Sequence, residues 1–255
     1  MIDLPQRTVG RLCTGTALGL VVLLFMMAES QAWPIPGASE RDAPAVSAER
    51  VRSLADQGDR EAQFTLGSMY LLGNGIRQDE RQAAEWFRKS AEQGNALAQT
   101  SLGAMYYLGQ GVPGDHGQAA EWYRKAAEQG EASAQYNLGN LYLLGHGVEK
   151  DEAQAMQWFR KAAEQGMVLA QFNLAGGYAE GRGLPRDDRE AAKWCRKAAE
   201  QGDVTAQYQL GLMYETGRGV EKDRREAISW LTSAARKGFE PAKTLLLKMG
   251  VDSSK

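Results

Sequence analysis

Apolar side chains along most of this chain recur at helical spacing rather than in the alternation typical of a strand. Ala62, Leu66 and Tyr70 are four residues apart, which places all three on one face of a helix. Further along, Ala83 and Trp86 begin a second apolar stripe, and polar or charged residues fill most of the positions between. The pattern therefore predicts two short amphipathic helices in succession.

Turn and cap residues mark where these two helices start and stop. Gly73 follows the first stripe, as expected of a glycine that ends a helix. Asp79 precedes the second stripe, where its carboxylate can accept from free backbone N–H groups, and Gly94 closes that helix. Gly67, inside the first helix, is expected to let a neighbouring helix approach closely. Because neither helix can bury its stripe alone, we expect successive pairs to stack.

The two-helix pattern recurs five times at a constant interval of 36 residues. One tryptophan, one tyrosine, one aspartate, a Gly-x-Gly pair and a closing glycine keep that interval in every unit. The tryptophans are Trp86, Trp122, Trp158, Trp194 and Trp230, and the tyrosines are Tyr70, Tyr106, Tyr142, Tyr178 and Tyr214. A period of this length indicates a stacked repeat array, and we expect these aromatic residues to lie in its core. We interpret the glycine pairs as turns, because no strand precedes them as a phosphate loop would require.

The repeats set the predicted domain boundaries. Full repeats span about 59–94, 95–130, 131–166, 167–202 and 203–238, and half repeats at both ends extend the array to 49–250. Residues 33–48, with three prolines, lack apolar periodicity and are predicted to form a flexible linker. Residues 251–255 are predicted to be a short tail.

The N-terminal segment, residues 1–32, has the pattern of a signal peptide. Arg7 and Arg11 precede an apolar run of 17 residues, and small residues suited to cleavage follow it. That run is at the short limit for a membrane span, so an uncleaved anchor is the alternative. We expect an exported protein, periplasmic or extracellular, which is anchored in the inner membrane only if this segment is retained.

Composition narrows the classes of function. A formal net charge of −2 argues against a nucleic-acid partner, since dedicated nucleic-acid binders carry a basic excess. Of the two cysteines, Cys13 lies in the predicted signal, which leaves one thiol and excludes a scaffold held by intrachain disulfides. The other, Cys195, stands where sister repeats have an aromatic residue and is expected to be buried and unreactive.

The sequence contains no recognisable catalytic or metal-binding motif. His116 and His146 are the only histidines, and both fall in turn regions that face no obvious set of ligands. A zinc site needs three or four ligands at compatible spacing, and neither a serine-nucleophile nor a zinc-protease motif is present. We therefore predict no catalytic residue, no metal site and no cofactor.

The unit Ala62-x-x-x-Leu66-Gly67-x-x-Tyr70-x-x-Gly73-x-Gly75, followed by Asp79, Ala83, Trp86, Lys89, Ala91 and Gly94, resembles the Sel1-like repeat, a relative of the tetratricopeptide repeat. The resemblance implies an all-α, right-handed α-solenoid of helix-turn-helix repeats whose first helices line a concave surface. It also implies an adaptor or scaffold that binds a protein or peptide, with an accessory role in cell-envelope or polysaccharide assembly as the alternative. Some cysteine-rich relatives suggest a cell-wall or β-lactam hydrolase, but this chain lacks their paired cysteines.

Positions on the first helices that vary between repeats are the candidates for partner recognition, because packing positions keep one residue type. By analogy with tetratricopeptide grooves, they lie two, six and nine positions after the recurrent alanine, and we name them the first-helix row. The row comprises Phe64, Ser68, Leu71, Thr100, Ala104, Tyr107, Tyr136, Asn140, Leu143, Phe172, Gly176, Ala179, Tyr208, Leu212 and Glu215. Asn137 and Asn173 beside it add amides that can pair with a peptide backbone.

Two questions about this row are open at the level of sequence. Its aromatic residues Phe64, Tyr136, Phe172 and Tyr208 either contact a partner or pack beneath the next unit, since aromatic residues at helical spacing often belong to a core. The adjacent glycines at positions 176 and 177 either loosen their helix or let the backbone of a ligand approach.

Overall fold

The structure is a computed structural model that describes residues 43–251, with side chains described from residue 48 onward. Within these residues the chain forms twelve α-helices and no strand, which confirms the predicted all-α fold class of helix-turn-helix repeats. The helices are α1 (Ala43–Asp56), α2 (Arg60–Leu72), α3 (Glu80–Glu92), α4 (Ala96–Leu108), α5 (His116–Glu128), α6 (Ala132–Leu144), α7 (Glu152–Glu164), α8 (Val168–Glu180), α9 (Asp188–Glu200), α10 (Val204–Thr216), α11 (Arg224–Arg236) and α12 (Glu240–Lys248).

The helices form two compact bodies, residues 43–150 with α1 to α6 and residues 151–251 with α7 to α12. Inside each body, every helix packs against the next one along the chain. This is the stacking that short amphipathic helices need in order to bury their apolar stripes.

The start of the array differs from the prediction. The linker was expected to extend to residue 48, but α1 already begins at Ala43. The segment is rich in alanine, glutamate and arginine, which favour helix, and Pro44 falls in the first turn, where proline is tolerated. The predicted signal peptide, the rest of the linker and residues 252–255 lie outside the described residues. Among the helices that the structure describes, none combines the length and apolarity that a membrane span requires.

The predicted caps are present at the helix ends. The Asp79 carboxylate accepts from the backbone N–H groups of Arg81, at 3.0 Å, and Gln82, at 3.1 Å. Gly73 has φ of +70° and its N–H donates to the Met69 carbonyl, so the first helix ends in a left-handed glycine. These local interactions fix where each helix turns back on its neighbour.

In the second to fifth repeats, the second glycine of the Gly-x-Gly pair lies against the backbone of the preceding repeat. Gly147 has φ of +68°, and a Cβ atom on it would overlap the backbone carbonyl of His116, the first residue of α5. Gly111 in the same body meets the carbonyl of Glu80 in the equivalent way. Both the backbone conformation and the close approach therefore require glycine, a role beyond the turn predicted from the sequence.

The glycine inside the first helix has the predicted role of allowing close helix packing. A Cβ atom on Gly67 would lie 2.7 Å from the Phe87 ring, and one on Gly103 would lie 2.8 Å from the Tyr123 ring. The fourth repeat has Ala175 at this position and the smaller Cys195 in place of the aromatic residue. The added methyl group in that repeat accompanies a smaller side chain at the position that the first three repeats fill with a ring and the fifth with Leu231.

The structure answers the question about Gly177 with neither of the predicted alternatives. A Cβ atom at Gly177 would overlap the sulfur of Met156, which fills the space beside this glycine. The first, second and fourth repeats have alanine where Met156 stands, and the fifth has Ile228. The other four repeats have methionine or leucine where Gly177 stands, as in the Ala84 and Met105 pair. The contact between the third and fourth repeats therefore exchanges the large and small residues of this pair.

A buried glutamine on each first helix links repeats by hydrogen bonds, a feature that the sequence analysis did not identify. Gln63 Nε2 donates to the Ala55 carbonyl at 3.1 Å, and its Oε1 accepts from Gln93 Nε2 at 2.7 Å. In the last repeat Lys237 replaces the donating glutamine, so the buried Gln207 Oε1 has no hydrogen-bond partner among the described residues. The glutamines thus satisfy polar groups inside the stack.

The recurrent tryptophans lie at the rim of the core rather than all within it. Trp86 is buried, although its ring still contacts a lysine side chain: Lys89 Nζ lies 3.7 Å from the ring centroid. Trp158 and Trp230 are only partly buried, which corrects the expectation that all five tryptophans are core residues. Lys161 Nζ lies 3.9 Å from the Trp158 ring centroid, and Trp230 Nε1 donates to Glu226 Oε2 at 3.1 Å.

Candidate partner-binding surface

In the body of residues 43–150, most of the first-helix row is partly exposed. The partly exposed members are Phe64, Ser68, Leu71, Tyr107, Tyr136, Asn140 and Leu143. Thr100 and Ala104 are 6% and 1% exposed, and the neighbouring Asn137 is 9% exposed. These last three side chains offer little surface to a partner in this conformation.

In the body of residues 151–251, the row is also largely accessible. The partly exposed members are Phe172, Gly176, Tyr208, Leu212 and Glu215, together with the neighbouring Asn173, whereas Ala179 is buried. The row therefore presents aromatic, aliphatic and amide groups in each body, although not at every predicted position.

Two aromatic residues of the row, Phe64 and Tyr208, contribute to packing as well as to the surface. The Phe64 ring lies 5.7 Å from that of Phe87, and the Tyr208 ring lies 5.3 Å from that of Phe239. Both distances are within the range of favourable aromatic pairs. At these two positions the packing interpretation is supported, and only the outer part of each ring remains available to a partner.

The first helices α4 and α6 carry no charged side chain. Residues 96–108 and 132–144 comprise only apolar residues, tyrosine, glycine, serine, threonine and uncharged amides. The second helices differ sharply, since α3 alone contains Glu80, Arg81, Glu85 and three further charged residues. The helices α4 and α6 are thus neutral, whereas the second helices beside them are charged.

Three rings meet where the second repeat contacts the third, and we name them the ring cluster. The Tyr107 ring lies 4.8 Å from that of His116 with an interplanar angle of 24°, and the His116 ring lies 4.9 Å from that of His146 at 15°. The Tyr107 hydroxyl and His146 Nδ1 are 3.2 Å apart, a hydrogen-bond distance. The prediction placed the two histidines in turns without an evident partner set, and the structure instead brings both to Tyr107 of the row.

The same junction in the second body contains charged residues instead of rings. Arg218 Nε lies 2.8 Å from Asp188 Oδ1, and Arg186 also pairs with this carboxylate at 3.0 Å. Partial burial raises the pKa of Asp188, but the hydrogen bonds and charges of the two arginines outweigh it and lower the pKa below its usual value. Arg218 and Asp188 occupy the repeat positions of His146 and His116, so this contact recurs with different chemistry.

A buried phenol lies behind Tyr107. The side chain of Tyr123 is fully buried, and its hydroxyl has no hydrogen-bond partner among the described residues. Burial, together with the neighbouring Tyr107 and Glu131, raises the pKa of Tyr123 far above its ordinary value, so the phenol stays neutral. This group is too enclosed to contact a partner.

Replacing Tyr123 with phenylalanine should raise the free energy of unfolding by about 1 kcal/mol, because it removes a buried hydroxyl without a partner. Phe87 occupies the equivalent position one repeat earlier and is equally buried. Urea unfolding followed by circular dichroism measures the change. The matched control is Tyr106→Phe, which removes the acceptor of a 2.7 Å hydrogen bond from Arg88 and should bring no gain. A loss of stability in Tyr123→Phe would contradict the assignment.

Other chemical groups do not converge on a catalytic arrangement in the part of the chain that the structure describes. No group of three or more histidine, cysteine, aspartate or glutamate side chains there is placed to hold a metal ion. Cys195 is buried, and its Sγ lies 3.3 Å from the Ala206 carbonyl. A shallow cleft of about 520 Å³ in the second body, which the sequence analysis did not identify, is lined by Arg196, Tyr214, Val220, Glu221, Lys222, Asp223 and Glu226.

Comparison with known proteins agrees with this architecture. The model of the Sel1 repeat matches residues 60–95, 96–131, 132–167, 168–203 and 204–239. A solved protective antigen from uropathogenic Escherichia coli with an SLR fold is 42% identical with a TM-score of 0.78, over 81% of this chain but only 45% of that protein. A Sel1 repeat protein from Oxalobacter formigenes is 34% identical with a TM-score of 0.73, over 94% and 68% of the two chains. The search of curated proteins returned no match. The chain therefore belongs to the Sel1 repeat family.

Proposed function

We propose that this protein is an exported scaffold that binds a protein or peptide through the first-helix row. Sel1 repeat proteins generally act as non-catalytic scaffolds that mediate protein–protein interactions. The observation that carries the proposal here is the neutral surface of α4 and α6, on which partly exposed Tyr107, Tyr136 and Asn140 stand beside highly charged second helices.

Such a surface suits an uncharged polypeptide segment. Tyrosine side chains bring large contact areas at low cost in conformational entropy, and amides such as Asn140 can pair with a peptide backbone. Helix α4 packs against α3 and α5, and α6 packs against α5, so little ordering is needed on binding. The affinity would come mainly from apolar area removed from water at the aromatic residues.

Export is proposed from the N-terminal sequence, with its paired arginines, apolar run and small residues. The E. coli relative is described as a protective antigen, and an exported location for the present chain is compatible with that description. Fractionation of the native host followed by N-terminal sequencing tests the proposal. A cytoplasmic protein that retains residues 1–32 would contradict it.

The binding surface is tested by site-specific photocrosslinking in the native compartment. A photoreactive amino acid in place of Asn140 should yield a discrete adduct, whereas the same group in place of the exposed Glu121 on α5 should not. Adding Tyr136→Ala should reduce the adduct at position 140 by about tenfold or more, because truncation of a central aromatic contact costs on the order of 2 kcal/mol. The melting profile and helicity of each variant serve as folding controls.

Identical adducts from positions 140 and 121 would place the binding surface elsewhere on the molecule. An unchanged adduct in the Tyr136→Ala variant would remove the aromatic row from the interface. Either result would refute the proposed function in its present form.

A further inference from the structure

We infer that the ring cluster of Tyr107, His116 and His146 is a subsite for an aromatic side chain in an uncharged segment of the partner. The inference rests on the proposed function and specifies the chemistry of the bound segment. It starts from a cluster of side chains that the repeat framework does not require, since sister repeats fold with other residues at all three positions.

The three rings form a platform that exists before any partner binds. All three interplanar angles are 31° or less, so the rings lie in offset, roughly parallel planes. Each ring comes from a different element, namely the end of α4, the first residue of α5 and the turn that follows α6. The contact between Gly147 and the His116 backbone holds that turn in place, and the hydrogen bond between Tyr107 and His146 fixes two of the rings to each other.

The cluster also retains capacity for hydrogen bonds. Tyr107 is the only hydrogen-bond partner of either imidazole among the described residues, and it uses one nitrogen of His146. His116 is an exposed residue. A peptide whose aromatic side chain stacks on these rings therefore finds donors and acceptors for its adjacent backbone groups.

The electrostatic surroundings favour an uncharged occupant. Helices α4 and α6 carry no charged side chain, so a charged partner group placed there would lose hydration without gaining a counter-charge. The nearest carboxylate in sequence, Asp115, is engaged in capping α5, where it accepts from Gly117 at 2.8 Å and Gln118 at 3.0 Å. Other junctions of the first-helix row differ, with Leu71, Glu80 and Gln110 at the equivalent positions one repeat earlier.

A shared metal ion fits this geometry poorly. The lone pairs of an imidazole nitrogen lie in the plane of its ring, and the His116 and His146 planes are within 15° of parallel. Two such nitrogens do not point at one ion at bonding distance, which is about 2.0–2.1 Å for zinc. The observations therefore favour stacking over metal binding, and metal binding becomes an outcome of the test.

The test uses a small aromatic probe, because the partner itself is not needed to detect the subsite. The chain contains only two histidines, both in the ring cluster, so their imidazole proton signals in NMR report on this site alone. Titration of the full chain with N-acetyl-L-tryptophanamide at pH 7.5 should shift both histidine signals in a saturable manner. N-acetyl-L-leucinamide and N-acetyl-L-aspartic acid amide should bind at least about threefold more weakly, since aromatic stacking adds to area burial.

A variant pair ties the effect to the cluster. Tyr107→Leu places at this position the residue found one repeat earlier, keeps both reporter histidines and should weaken tryptophanamide binding by about threefold or more. Tyr106→Phe alters the neighbouring tyrosine, which contacts Arg88 rather than the cluster, and should leave binding unchanged. Helicity and melting temperature show that both variants are folded.

Equal binding of the leucine and tryptophan amides, or no shift with either, would overturn the inference. It would also fail if Zn²⁺ alone perturbed the two histidine signals, because the cluster would then be a metal site. These results are separate from the crosslinking outcome at position 140. If a partner crosslinks at position 140 but the protein does not bind N-acetyl-L-tryptophanamide, the proposed function stands and only the subsite is refuted.

Discussion

Replacing Gly147 with alanine should destabilise the body of residues 43–150 by about 2–5 kcal/mol. Gly147 has φ of +68°, a conformation that costs a residue with a Cβ atom roughly 1–2 kcal/mol. The added methyl group would also overlap the His116 carbonyl, and relief of such overpacking in a packed contact typically costs a further 1–3 kcal/mol. Because the obstacle is backbone rather than a flexible side chain, the α5 helix itself would have to move.

The matched control is Gly130→Ala, which isolates the conformational part of this cost. Gly130 has φ of +94°, and a Cβ atom there would meet nothing within 4 Å. Its replacement should therefore cost only about 1–2 kcal/mol. Urea unfolding of the full chain, followed by circular dichroism, measures both variants. If the two substitutions cost the same, the contact between Gly147 and the preceding repeat does not contribute to stability.

This contact illustrates how far the sequence alone could go. The interval of 36 residues, the caps and the helix pairs were all predictable, because each depends on residues that are close together in the chain. The glycine pairs were recognised as turns for the same reason. What the second glycine touches lies 31 residues earlier in the sequence, as Gly147 and His116 show, and depends on how one repeat is seated on another. Patterns among residues that are close in the chain do not show how one repeat is aligned with the next.

The ring cluster was missed for the same physical reason. Tyr107 was predicted as a row residue, whereas His116 and His146 were assigned to turns, each considered in its own repeat. Their contact becomes visible only when the end of one first helix, the start of the following second helix and the next turn are compared across a junction. The buried glutamines were overlooked because a polar residue on an apolar face reads as a departure from the pattern, although Gln63 and Gln93 satisfy each other.

The contact between Met156 of the third repeat and Gly177 of the fourth shows a related limit. In the sequence, Gly177 stands out as an isolated irregularity, which suggests helix loosening or the approach of a ligand. Met156, 21 residues earlier, departs from the pattern in the opposite direction, and the structure places its sulfur beside this glycine. Comparing the repeats at both positions together, rather than at one position at a time, would have suggested that Met156 compensates Gly177.

A double-mutant cycle on this pair is expected to give the largest coupling in the molecule. Met156→Ala alone leaves a cavity beside Gly177 and should cost about 2–5 kcal/mol, since Met156 is 1% exposed. Gly177→Met alone inserts a long side chain where the Met156 sulfur already lies, and should cost about 1–3 kcal/mol even after its gain in helix propensity.

The double variant, Met156→Ala with Gly177→Met, should recover most of the stability and come within about 1.5 kcal/mol of the natural protein. It recreates the alanine and methionine pair, Ala84 of the first repeat and Met105 of the second, that packs in one core cluster. The coupling energy between the two sites is then at least about 1.5 kcal/mol, well above the few tenths seen for independent positions. Urea unfolding of the four proteins gives this quantity directly. Additive losses in the double variant would mean that Met156 and Gly177 do not share one packing space.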